Sequence, residues 1–194
     1  MQLSTALSDA ILALVAWGAA VIAHLSGSRP AAAGFALVAL AASIGVLRFS
    51  AWPQLVPVHT SLSLVAGQVG IPLIGLGFCL AVFRMPPPPG PLLITLILCV
   101  LFFIFQHLIV WNLYGTVVGA LGAVAIIAAG IALFPAPSAL WTAGGALLLV
   151  IAGLAVGTRG ELAGMLRIDL FHYLMAIAIG MMAWGLRAAT RVLA

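Results

Sequence analysis

The sequence predicts an all-α polytopic membrane protein, a single domain over residues 1–194 built as a bundle of about seven transmembrane helices. Three observations carry this expectation. The chain is 65% hydrophobic and 5% charged, with a mean hydropathy of +1.35, whereas soluble domains are about 45 to 50% apolar and about 25% charged. Its apolar runs recur at close to the roughly 20 residues that a spanning helix needs. Gly, Pro and Arg punctuate those runs and leave no stretch for a soluble domain.

Helix 1 is expected over about 8 to 26, with Thr5 or Ser8 as its cap and "SGSRP" as its stop. The opening "MQLSTALSDAILALVAWG" has no basic region and carries Asp9 ahead of its apolar run, so it reads as a retained helix rather than a cleaved signal. Pro30 suits the first turn of helix 2, about 31 to 49. The segment "SAWPQLVPVHT", with two prolines and Trp52, reads as an interfacial turn before helix 3 at about 59 to 83. Pro72 inside that helix predicts a kink near mid-membrane. "RMPPPPG" reads as a stiff polyproline connector. Helices 4 to 7 follow at about 91 to 112, 115 to 134, 138 to 157 and 165 to 188. Gly115xxxGly119 and Gly153xxxGly157 are expected at close internal helix contacts. Cys79 and Cys99 lie in apolar runs without a CxxC pattern and read as buried small hydrophobes.

Seven crossings place the termini on opposite faces. All seven basic residues are Arg, a usage that suits a GC-rich bacterial genome and so the bacterial inner membrane. Arg29, Arg84, Arg187 and Arg191 fall on one face and Arg48, Arg159 and Arg167 on the other. The positive-inside rule then makes the C-terminus cytoplasmic and the N-terminus external. The pI of 10.1 reflects arginines scattered near helix ends, where they snorkel to headgroups. No basic patch forms, which excludes a nucleic-acid surface.

This topology gathers Asp9, Glu161, Asp169, His59, His107 and His172 in the half nearest the N-terminus, leaving His24 as the one histidine of the other half. An ionisable group at the bilayer centre costs about 2.5 to 3.5 kcal/mol on insertion scales, and such groups face the bundle interior or mark sites. Asp169 and His172, at i and i+3, share a helix face, with Arg167 or Arg48 as partners for Asp169. Asp9, Arg159 and Glu161 are expected at the interface as solvated or capping ends.

Three chemistries fit such a cluster. His59, His107, Asp169 and His172 match a catalytic zinc shell with one position left for water, and Asp9 is the candidate catalytic base. The same histidines would hold haem or a pigment magnesium. Acting only as interhelical hydrogen-bonders, these residues would belong to a non-catalytic subunit of a membrane complex, partnered by the bilayer and by other membrane subunits. A proton relay would want matching groups in the other half, which holds arginines and apolar residues besides His24.

"SDAILALVAW" near the start and "DLFHYLMAIAIGMMAWGLRAA" near the end, with seven spans between, resemble a family of small bacterial seven-helix membrane proteins whose last helix opens with Asp-Leu-Phe-His. More remotely, the layout is similar to the superfamily of alkaline ceramidases and progestin/adipoQ receptors. That resemblance implies zinc held by His172, with His59 in place of a helix-2 histidine and Asp169 where the superfamily's last helix has a second one. It also implies hydrolysis of a lipid ester or amide. The scarcity of exposed loops and the Gly-rich faces favour the subunit reading, with the zinc-dependent hydrolase as the alternative.

Overall fold

In lipid every backbone N–H and C=O must find a partner within the protein, which leaves helices and closed barrels, and apolar runs of about 20 residues suit the helix. The computed structural model describes residues 2–85, 90–105 and 114–193. Helix α1 is Leu3–Leu25 and α2 is Arg29–Ser50. A short 3-10 turn, Pro53–Leu55, leads into α3, Val56–Val65. A π turn at Ala66–Gly70 then joins α3 to α4, Ile71–Val82. Next come α5, Pro91–Ile104, and α6, Tyr114–Ala132. Helix α7, Pro137–Ile151, continues through a second π turn at Ala152–Val156. The last helix, α8, is Arg167–Leu193. Among the described residues six helical segments are long and apolar enough to cross a membrane, with Pro53–Val82 counted as one.

Three local expectations need correction. Neither Thr5 nor Ser8 caps α1: the helix begins at Leu3 after Gln2, and both side chains are wholly buried inside it. The segment expected as a turn is largely helical. Pro53 and Pro57 each fall in the first turn of a helical segment, where a missing N–H breaks no hydrogen bond. At Pro72 the backbone cannot donate to the carbonyl four residues earlier. The ladder slips by one residue just ahead of it, with the Ile71 N–H reaching back to the Ala66 carbonyl, and the expected kink takes the form of a π turn.

The helices close into a ring in the order α1, α2, α4, α6, α7, α8 and back to α1. Antiparallel neighbours meet through glycine, as where Gly34 of α2 lies against Gly70 and Ile74 at the start of α4. Two adjacent pairs are parallel. Ser8 of α1 reaches His172 of α8 while Val15 lies nearest Gly180. Likewise Gln68 packs on Gly115 of α6, Ile71 on Gly122, and the Cys79 thiol points to the Ala125 carbonyl. Helix α5 packs beside the first π turn. With α1 and α8 parallel, the chain begins on one face and ends on the other; the first is called the N-terminal face below.

On that face a two-stranded antiparallel hairpin links α7 to α8, with β1 at Glu161–Leu162 and β2 at Met165–Leu166. Ala163 and Gly164 turn it with φ of 53° and 79°, the pattern of a type I′ turn. The sequence disguises it, because alanine stands where asparagine or aspartate is usual.

Candidate functional site

Helix α1 carries Asp9 about 9 Å below its start and α8 carries His172 about 7.5 Å below its own, at the usual 1.5 Å rise per residue. The two helices are parallel neighbours, so both side chains arrive at a common depth. Asp169 occupies the first turn of α8, where the positive end of the helix dipole favours a carboxylate. Asp9, Asp169, His172 and His59 are all buried. Asp9, expected at the interface, is 1% exposed. It fits because Gly45 of α2 has no side chain: a Cβ there would fall 2.6 Å from the Asp9 Cγ.

Ser8 links these groups. Its hydroxyl donates to the Thr5 carbonyl at 3.0 Å, and its oxygen lies 3.1 Å from His172 Nδ1. Which of the two donates across the Ser8–His172 contact is set by the imidazole tautomer, and Asp9 Oδ1 stands 3.5 Å from the same nitrogen. Asp169 Oδ1 is 3.5 Å from the Ser8 oxygen. Two contacts thus converge on His172 Nδ1. A serine, a histidine and an aspartate meet here without forming a catalytic triad. A triad imidazole bridges serine and carboxylate through its two different nitrogens, whereas both contacts here converge on one.

His59 has a separate partner. Arg48 Nη1 lies 2.8 Å from its Nδ1; since arginine only donates, that nitrogen accepts and the ring proton sits on Nε2. The guanidinium also lies 4.4 Å from the centre of the Phe49 ring, a cation–π contact. Neither arginine expected beside Asp169 hydrogen-bonds to it: Arg48 goes to His59, and Arg167 donates to the Val156 carbonyl at 3.2 Å, capping the end of α7.

Of the expected zinc shell, His59, Asp169 and His172 lie within the described residues. Among the described residues no three His, Cys, Asp or Glu side chains are placed to hold one metal ion. His59 also carries a guanidinium against its ring, which opposes a dication there. His107 lies outside the described residues.

The ring of helices encloses a cavity of about 670 Å³. Asp9, His59, Ser63 and His172 give it a polar end near the N-terminal face. Leu12, Val38, Ile71, Ile127 and Met175 make its wall apolar elsewhere. Val124, Leu147 and Leu154 line it while being 60%, 51% and 78% exposed, so it opens sideways between α6 and α7. Gly153, expected at a tight helix contact, sits at this opening with nothing within 4 Å of where its Cβ would be. Both π turns contribute to the wall, through Ala66 and Gly67 and through Gly153 and Leu154; such turns recur at functional sites.

Sequence reasoning brought Asp9, His59, Asp169 and His172 forward, gave Ser8 only as a helix cap and passed over Gly45. Ser8 and Asp9 stand next to each other before an apolar run, a pairing that hints at burial; nothing local marks Gly45 among 21 glycines. No protein-family model, no curated protein and no solved structure matches the chain.

Proposed function

We propose that this integral membrane protein is non-catalytic and holds a single-chain amphiphile inside its bundle, head group among Asp9, His172 and His59 and chain along the apolar wall. The cavity carries this reading: it is apolar with a few polar groups at one end, and its volume lies within the roughly 300–1,000 Å³ of ligand sites. That is room for one chain with a small head. The opening between α6 and α7 gives such a molecule a route from the bilayer without crossing water. With the N-terminus external, as the arginine distribution favours, the polar end belongs to the outer leaflet; a fluorescent C-terminal fusion that lights up in the cytoplasm would agree.

The test is extraction and mass spectrometry of lipids that remain with the protein after purification in mild detergent. One single-chain species near one per protein is expected, and Gly153→Phe, which puts a ring at the opening from a position with free space around its Cβ, should deplete it. Protein that carries no such lipid would end this reading.

A second reading has its own observation. The cluster's polar contacts join different helices, Ser8 on α1 with His172 on α8 and Arg48 on α2 with His59 on α3. Side chains so placed act as interhelical glue, as in a subunit of a larger membrane complex. Under that reading the protein migrates with other membrane proteins in native gels, His172→Ala dissociates it, and Gly153→Phe is silent.

A further inference from the structure

The cavity has a floor. Gly115 and Ile127, both in its lining, stand twelve residues apart on α6, or about 18 Å at the usual 1.5 Å rise per residue. His59 and Ile71 mark the same separation along α3 and the start of α4. Val38, Ile71 and Ile127 are the lining residues furthest from the N-terminal face on α2, α4 and α6. About one turn beyond them the helices lock together. Gly34 of α2 lies against Ile74 of α4, Gly130 of α6 against Ala143 of α7, and Gly145 of α7 against the Ala178 carbonyl of α8. Phe35 and Ile74 are wholly buried at that level. Contacts made through glycine bring helix backbones close, and a backbone cannot swing aside as a side chain can.

Resting on the amphiphile reading above, we infer that the cavity selects its ligand by chain length, with Val38, Ile71 and Ile127 as the floor that stops a chain about as long as one leaflet is deep. The hydrocarbon core of a bilayer is about 30 Å thick, so one leaflet is about 15 Å deep, and the cavity takes a chain of that length below a small head. A chain too short leaves a void against the floor; an apolar void stays dry and costs its lost contacts. A chain too long meets packed backbone and has to draw its head group out of the polar end or push its tail out between α6 and α7. Ala123 lines the cavity eight residues along α6 from Gly115, about 12 Å in, so a larger side chain there shortens the space.

The test is the chain-length distribution of the single-chain lipid that co-purifies with the full-length protein, produced in cells fed saturated fatty acids of graded length. Relative to the total membrane lipid, leaflet-length chains should be enriched roughly tenfold over chains several methylenes shorter. Ala123→Leu should move the preferred length down and Val38→Ala should move it up. If one variant does not fold, the other carries the test. Co-purifying lipid whose chain lengths match the membrane pool, or a preference that moves in neither variant, overturns selection by length while leaving the amphiphile reading in place. Protein that carries no single-chain lipid overturns both.

Discussion

The two halves of the bundle solve the same packing problem in different ways. Towards the C-terminal face the helices touch through glycine and alanine, as where Gly77 meets Ala31 and Gly130 meets Ala143. Phe35, Phe78 and Leu186 are wholly buried there. Towards the N-terminal face the helices stand apart around a cavity, and Ser8, Asp9, His172, Arg48 and His59 bridge part of the gap. Without a hydrophobic drive between helices in lipid, close packing supplies stability and polar contacts add modestly. The contrast therefore assigns stability to one half and leaves the other free to bind.

That division can be broken most directly at Phe78. Phe78→Ala should cost about 3–5 kcal/mol of unfolding free energy, the usual range for emptying a buried aromatic site, read from denaturant titration in detergent. A cost below that of every substitution in the polar half would reverse the assignment. Gly45→Ala comes next, at about 1–3 kcal/mol for overpacking, because its methyl group would collide with the Asp9 carboxyl. It should also abolish retention of the co-purifying lipid; unchanged lipid content would detach Asp9 from the cavity's function.

Ser8→Ala should cost about 0.6 kcal/mol, the average for an interhelical hydrogen bond in a membrane protein. A cost of several kcal/mol would show the polar half to be structural glue and favour the subunit reading. The smallest effect belongs to Leu14→Ala: Leu14 is 75% exposed on α1, and its stability should shift by less than about 0.5 kcal/mol. A larger loss would mean that another protein, rather than lipid, covers that side.

Much of the polar half was legible in the residues, and the reason is energetic. Ionisable groups in apolar runs are rare enough to stand out, and helix rise converts their position into depth, so the convergence of Asp9, His59, Asp169 and His172 on one half could be read. Their pairing could not. Depth says nothing of rotation about the helix axis or of which helices are neighbours, so the sequence leaves Arg48 open to Asp169, whereas in the structure it meets His59. Gly153xxxGly157 shows the same limit: the spacing permits close approach, but Gly153 borders the cavity and Gly157 ends the helix with φ of 65°.

Composition and apolar run length by themselves determined that this chain is a helical membrane protein, because hydrocarbon admits only helices and closed barrels and uninterrupted apolar runs of about 20 residues suit the helix. The breaks between runs located the six long apolar helices of the described residues, though the first and third begin earlier and the last ends later than expected. Only the tertiary structure decided that α1 lies parallel to α8 and α4 to α6, that the ring stays open inside, and that Gly45 yields its space to Asp9. Those outcomes depend on contacts between residues far apart in the chain, and no local pattern encodes which distant surface a helix will meet.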